Sequence, residues 1–431
     1  MFLLIMMLRR LFPGRSLVLV SHDGKRYPVS DDERDAVVVK LTTRWLPWRI
    51  LFDPPLAMGE AYIRGELILE QGSLPDLMNL IMSSDTVAHR VSETGLTNMI
   101  ETVRRISRRW LQFNTKSRAS RAIALHYDLP FELFEMLLDQ GNVQYSCAYF
   151  TDEGDDLEEA QRRKVARVAA KLLLADGQSV LEIGCGWGGL SRALARLFEV
   201  RIQAISLSRE QVAVAKSIAA AKYEDRIQYV YQDYRDEAGR YDRIVSVAMF
   251  EAVGLPYYRD YFDKIAGCLK DDGVAVMHTI GRLSGPGHTD TWTDKYIFPG
   301  GYAPALSEIL PHIEKSGLLL GDIEIWQDQY ATTLSAWRAN LMEHRDAVID
   351  RFGIEVFRMF DFYLCAAYTA FVHGDHVIFQ IQMVKKRGTL PAGRQYIDKE
   401  TDRLSKRLQD ELREQHITAS QAHNAPSAQE T

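Results

Sequence analysis

Cysteine is scarce in this sequence: Cys147, Cys185, Cys268 and Cys365 are scattered, with no CxxC pair and no metal-ligand spacing. That argues against a secreted disulfide scaffold and against a zinc site, and it is the pattern of reduced thiols in a cytosolic protein with no metal. Long hydrophobic runs are lacking too. The apolar Met1–Leu8 stretch is too short to cross a bilayer and has neither the charged leader nor the cleavage site of a signal peptide. Disorder and coiled coil are excluded by 46% hydrophobic and 26% charged residues over 431 positions, a length that suggests two or three domains. The net charge of -6 argues against nucleic acid as a partner. One stretch runs against that average. Between Thr102 and Tyr127 stand Arg104, Arg105, Arg108, Arg109, Lys116, Arg118 and Arg121 without an Asp or Glu, and Trp110 and Phe113 lie among them. Such a run is either a solvated face or a contact for an anionic membrane, where each basic residue contributes about 1 kcal/mol.

The first hundred residues mix short apolar segments with turn signals, which predicts a small mixed domain over 1–115 with strands at Leu17–Val20 and Ala36–Leu41 and helices at Leu74–Ser83 and Thr97–Phe113. From Ser179 short apolar runs alternate with amphipathic ones. The strands Ser179–Ile183, Arg201–Leu207, Ile227–Gln232, Arg243–Met249 and Gly273–His278 alternate with helices Leu190–Phe198, Arg209–Ala221 and Tyr257–Leu269. This is the rhythm of a doubly wound, Rossmann-like parallel α/β sheet, and it places the catalytic domain at 116–390. Helices are expected at Ala303–Lys315, Thr332–Ile349 and Glu355–Phe371, with Leu318–Trp326 and His376–Val384 closing the sheet as an antiparallel pair. Residues 391–431 read as a charged helix and then, from Ile417, a disordered tail.

The segment Glu182-Ile183-Gly184-Cys185-Gly186-Trp187-Gly188-Gly189 follows the first buried strand and precedes a helix. Glycines there permit a tight turn and close approach of the backbone to a ligand, although a simple strand-to-helix turn uses the same residues. The spacing is GxGxGG. The second strand ends in Ser206-Leu207-Ser208, without the acid that NAD ribose needs, and the third ends in Gln232-Asp233-Tyr234, where a carboxylate can reach an adenine amino group. This favours S-adenosylmethionine over NAD.

With these motifs the sequence resembles the cyclopropane fatty acid synthases, including the mycolic acid cyclopropane synthases. The resemblance is carried by His126-Tyr127-Asp128-Leu129, Gln144-Tyr145-Ser146-Cys147-Ala148-Tyr149, the glycine loop, Gln232-Asp233-Tyr234-Arg235-Asp236 and Met249-Phe250-Glu251. It continues through His278-Thr279-Ile280-Gly281, Lys295-Tyr296-Ile297-Phe298-Pro299, Tyr330, Thr332-Thr333-Leu334 and Trp337, so that it covers Leu56 to Lys385. The resemblance implies methyl transfer from S-adenosylmethionine to the double bond of an unsaturated acyl chain in a membrane phospholipid. A carbocation forms and loses a proton to a bound bicarbonate ion, which closes the ring.

By the same resemblance the bicarbonate donors are Cys147, His278, Tyr330 and the backbone of Ile280, with Glu251 orienting the ion. Tyr145 and Ser146 would hold the methionine part of the cofactor, Gly184 and Gly186 the loop, Ser206, Leu207 and Gln211 the ribose and Asp233 the adenine. Phe250, Tyr296, Phe298 and Phe360 would wall the cation. Each has an ordinary alternative: Cys147 as a small buried hydrophobe, His278 as a core histidine, the aromatics as packing. Ala252 departs from the family, which usually has His after the glutamate, and this leaves cyclopropane, methyl-branched and methylene products open. A cytoplasmic enzyme bound peripherally to the inner membrane face is expected, with Arg104–Arg121 and Met1–Phe12 as contacts, and a homodimer is compatible with the sequence. A small-molecule methyltransferase and a non-enzymatic lipid-binding protein are the rival readings.

Overall fold

A computed structural model of the chain describes all residues except 31–33, 84–111, 113, 115–129, 153, 221 and 424–431, and over 412–423 it describes the backbone alone. The basic run Arg104–Arg121, the helix expected over Thr97–Phe113 and the His126–Leu129 motif therefore lie outside the described residues, Gln112 and Asn114 apart.

The N-terminal unit comprises α1 (Phe2–Leu11), β1 (Leu17–Val20), β2 (Arg26–Pro28), β3 (Val37–Leu41), α2 (Leu46–Phe52), α3 (Pro54–Arg64), β4 (Leu67–Gln71) and α4 (Leu74–Met82). Its sheet runs β2-β1-β3-β4, with β1 and β3 parallel and the other pairs antiparallel. Leu17 and Leu19 face a core shared with Leu4 and Ile5 of α1 and Leu46 and Ile50 of α2, while Val18 and Val20 pack with Val38 on the other face. Helix α3 starts where the Asp53 carboxylate accepts the Leu56 N–H and two prolines occupy the first turn; it stops at Gly65, whose φ is 70°.

The second unit holds α5 (Phe131–Leu137), α6 (Leu157–Leu172), β5 (Ser179–Ile183), α7 (Gly189–Leu197), β6 (Arg201–Ser206), α8 (Arg209–Ala219), β7 (Ile227–Tyr231), β8 (Tyr241–Val247), α9 (Tyr258–Cys268) and β9 (Leu269–Arg282). It continues with α10 (Thr291–Tyr296), α11 (Leu306–Lys315), β10 (Leu319–Trp326), α12 (Gln329–Glu343), α13 (Arg345–Phe352), α14 (Ile354–Val372), β11 (His376–Val384) and α15 (Gln395–His423). The sheet order is β10-β11-β9-β8-β5-β6-β7. Strands β5 to β9 are parallel, and β11 is antiparallel to both β9 and β10. Chain order reverses at β5, between β6 and β8, so the crevice outside the carboxyl ends of these strands is where such a sheet receives a ligand.

Three segments differ from expectation. Strand β9 runs past His278 to Arg282 because β11 pairs with it along that whole length. The helix expected over Thr332–Ile349 is broken at His344 (φ -93°, ψ 15°), whose ring Nδ1 meets the Asn340 carbonyl 3.0 Å away. Helix α15 continues to His423, into the stretch expected to be a disordered tail, because adding a residue to a formed helix costs far less than starting one. Its inner face is not merely charged surface: Leu404 and Leu408 are buried in the core beside α6 and α7.

The two units are joined by polar contacts. The Tyr62 hydroxyl on α3 donates to Asp361 on α14 at 2.6 Å, and the same carboxylate takes the Arg338 Nε of α12 at 2.8 Å. Glu60 on α3 accepts from Lys295 and Tyr296 of α10 and from Arg49 of α2.

Candidate active site

The carboxyl end of β5 turns sharply through Gly184, Gly186 and Gly188, all at positive φ. At Gly188 a Cβ would stand 2.6 Å from the Tyr229 hydroxyl, so packing demands glycine; at Gly186 it would meet no protein atom within 4 Å. Gly186 is therefore glycine for its φ of 52° and for open backbone beside the cavity. That cavity has a volume of about 660 Å³. All the residues expected to hold the cofactor line it: Tyr145, Ser146, Gly184, Gly186, Ser206, Leu207, Gln211 and Asp233.

Their local order is built by short hydrogen bonds. Ser208 caps α8 by accepting the Gln211 N–H, and the Ser206 hydroxyl lies 3.2 Å from Gln211 Oε1, which presents a hydroxyl and an amide together at the end of β6. Asp233 is held by Arg235 through Nε at 2.8 Å and Nη2 at 2.6 Å, so its carboxylate reaches the cavity wall as half of an ion pair. Tyr145 packs edge-on to Phe134 and against Trp337. Ser146 accepts a hydrogen bond from the Lys164 ammonium, and Glu182 from the Ser191 hydroxyl; burial pushes the Glu182 carboxyl up to about 7.

The expected catalytic set divides. Glu251, Ile280 and Tyr330 line the cavity, whereas Cys147 and His278 are 1% exposed and do not line it. Glu251 Oε1 accepts the Ile280 N–H at 2.6 Å, and burial pushes the carboxyl up to about 7 against the pull of that N–H. Tyr330 opens α12 and packs against Trp337 and Phe371. His278 stacks edge-on to Trp326, and its Nδ1 lies 3.4 Å from the Gln380 amide nitrogen. Burial, reinforced by the Lys164 and Lys171 charges, keeps this imidazole neutral, well below its ordinary range. Cys147 has Thr333 Oγ1 at 3.9 Å, and burial pushes its thiol far up. Among the described residues, the His278 Nε2 and Glu251 Oε2 are buried with no hydrogen-bond partner. Of the four aromatics expected to wall the cation, only Phe298 lines the cavity. Phe250 stacks on Tyr258 and Tyr261 in the core, Phe360 packs on Phe134 and Tyr363, and Tyr296 turns to Glu60.

Two contributions escape the sequence reading. The first is Lys164 on α6, fully buried and bonded to the Gln144 side chain and to Ser146 Oγ at 2.8 Å; burial lowers its ammonium to about 8. Its signal is the stripe Gln161, Lys164, Arg167 and Lys171, a polar helix face that is buried here rather than solvated. The second is the N-terminal unit itself, which supplies Pro54, Pro55, Met58, Met78, Ile81 and Met82 to the cavity wall. Nothing in their sequence spacing marks them.

The open glycine backbone, the hydroxyl–amide pair and the carboxylate at three successive strand ends fit a nucleoside, and the cavity's apolar remainder fits a chain. The mycolic acid cyclopropane synthetase family matches residues 114–381. The chain belongs to that family. It is 34% identical over 338 residues to the cyclopropane-fatty-acyl-phospholipid synthase of Escherichia coli, which covers 77% of this chain and 84% of that protein. It is 36% identical over 288 residues to the tuberculostearic acid methyltransferase UfaA1 of Mycobacterium tuberculosis, covering 63% and 67%. Among solved structures, the mycolic acid cyclopropane synthase CmaA1 complexed with SAH and CTAB matches with a TM-score of 0.58 at 27% identity, covering 61% of this chain and 97% of that one. The protein is thus an S-adenosylmethionine-dependent methyltransferase of the cyclopropane synthase family, on the Rossmann-like fold expected. Among the described residues no helix is long and apolar enough to cross a membrane.

Proposed function

We propose that this cyclopropane synthase family member methylates the double bond of an unsaturated acyl chain in a membrane phospholipid and closes the added carbon into a cyclopropane. The observation that carries the reading is the Glu251–Ile280 contact in the wall of a largely apolar cavity, beside strand-end residues suited to a nucleoside. An alkene is a weak nucleophile, so the walls must hold it in line and exclude water from the cation that follows. Met58, Met78, Phe298 and Phe371 supply such walls. When bound, S-adenosylmethionine supplies an electrophilic methyl group; Tyr145, Ser146, Gly184, Gly186, Ser206, Leu207, Gln211 and Asp233 would hold it. The cation must then lose a proton, and bicarbonate is the base in this reading. Tyr330 has a hydroxyl at the cavity to offer such an anion, and His278 a buried Nε2 behind the lining; the Ile280 N–H, held here by Glu251, would turn to the anion only as the carboxylate released it, and Cys147 would act from behind the same lining. The family relation to the Escherichia coli enzyme supports the ring product.

One observation favours a second product. Ala252, where the family usually has His, lines the cavity and receives the Asn114 amide on its carbonyl, so no imidazole stands there to carry a proton. The UfaA1 relative, a tuberculostearic acid methyltransferase by name, fits that alternative. Mass spectrometry of lipids from cells expressing the protein decides. A gain of one CH2 with loss of alkene reactivity means a ring, retained unsaturation means a methylated or methylene product, and unchanged lipids overturn the proposal.

A further inference from the structure

Helix α1, FLLIMMLRRL, is apolar on both sides, yet only one side is packed. Leu4 and Ile5 enter the core of the N-terminal unit, whereas Phe2 is 77% and Met6 56% exposed. A helix that is apolar all round is normally buried all round. The adjoining α2 repeats the pattern. Trp45, Trp48 and Phe52, spaced three and four residues apart on one helical face, are 67%, 45% and 83% exposed, while Leu46 and Ile50 face inward. Exposed tryptophans of this kind have an apolar body and a polar tip, the character of residues that settle at the boundary between lipid and water.

The chain leads from this face straight to the cavity. After Phe52 come Asp53 and then Pro54 and Pro55, both exposed and both part of the cavity wall, followed by Met58 one turn further in. Neither α1 nor α2 contains an Asp or Glu, and among the described residues Arg9 in the last turn of α1 and Arg44 beside Trp45 are exposed at this face. An apolar surface edged by exposed arginines matches an anionic bilayer, in which aromatic side chains enter the acyl boundary while arginines stay with phosphates. We infer that the exposed face of α1 and α2 is the surface by which the protein docks on an anionic phospholipid bilayer, with Trp45, Trp48 and Phe52 inserted so that the cavity mouth at Pro54 and Pro55 meets the acyl layer. This deepens the proposed function and rests on it for the purpose of docking.

The test is flotation of the full chain with vesicles of phosphatidylcholine alone and with phosphatidylglycerol added, at low and high salt, comparing the wild type with a W45S/W48S/F52S variant. A parallel assay follows methyl transfer to an unsaturated phospholipid dispersed in detergent. The wild type should float with the anionic vesicles, less so at high salt, and the variant should partition about tenfold or more weakly while keeping its circular dichroism, its melting temperature and its turnover on dispersed lipid. Equal flotation of variant and wild type overturns the docking surface. So does a wild type that stays unbound, or sedimentation showing a wild-type dimer and a variant monomer with unchanged flotation, which would assign the face to a second copy of the chain. Absence of turnover on dispersed lipid by the wild type counts against the function instead, since flotation is read without it.

Discussion

The Lys164 ammonium lies 2.8 Å from the Ser146 hydroxyl, and no atom of that lysine is exposed to solvent. A buried cation is retained only where it is compensated, and here Gln144 and Ser146 share it while the Asp139 and Glu182 carboxyls act at longer range. Ser146 lines the cavity and Lys164 does not, so the lysine is a positioning residue for the loop expected to grip the cofactor.

Lys164→Met should therefore raise the KM for S-adenosylmethionine roughly tenfold, about 1.4 kcal/mol, with kcat changed far less. Steady-state kinetics separates the two. Stability adds a signature. The folded protein lowers this ammonium from 10.5 to about 8, so the wild type gains stability as pH rises from about 8 towards 10.5 and loses it on the way down. The methionine variant lacks this slope, and its stability relative to wild type should be about 3 kcal/mol more favourable at neutral pH than above pH 10.5. Parallel denaturation curves at both ends of that range would contradict the buried charge.

Glu251→Gln keeps an oxygen for the Ile280 N–H, so it should fold and bind the cofactor in calorimetry while losing about 100-fold or more in turnover. The wild-type carboxyl is raised from 4.5 to about 7, which means that its proton is bound more tightly in the folded state. Its contribution is full below pH 4.5 and is lost as pH rises through 7. The glutamine variant should overtake the wild type by about 3 kcal/mol across that interval in urea titrations. Near-normal turnover would remove Glu251 from the reaction.

Gly186 and Gly188 should fail in different assays. Gly188→Ala drives a Cβ against Tyr229 and Ala215 and should cost about 2–4 kcal/mol in denaturant unfolding. Gly186→Ala meets no protein atom and should cost about 1–2 kcal/mol for the left-handed backbone alone, yet it should weaken cofactor binding at least about tenfold. Calorimetry with S-adenosylmethionine would refute this if Gly186→Ala bound normally.

If bicarbonate is the base, degassing it from the buffer at constant pH should lower turnover by about 100-fold, and adding it back should restore the rate. A His278→Phe variant should lose that dependence together with its activity. A rate indifferent to bicarbonate would leave methyl transfer intact and remove this base from the proposal.

The doubly wound sheet was legible because its strands are short apolar runs that end in chemistry-bearing residues, and every residue expected at the cofactor lines one cavity. Less legible was the wall between cavity and core. Phe250 and Phe360 have the composition of a cation cage, but side-chain direction is set by packing, and both point into the interior. His278 is likewise a layer deeper than its place on a strand suggests, since a position along a strand fixes depth only to within one residue's alternation, and Cys147, in the loop before α6, is buried with it. Lys164 escaped because a stripe of charged residues on a helix usually faces water, and this one faces its neighbours.

The segment that carries the family match begins at residue 114, yet α3 and α4, which precede it, furnish part of the cavity wall. Chemistry and admission are thus written in separate stretches of the gene. Under the proposed function, Met58, Met78 and Ile81 would set the length and bend of the space offered to an acyl chain from a stretch of sequence separate from the one that holds Glu251.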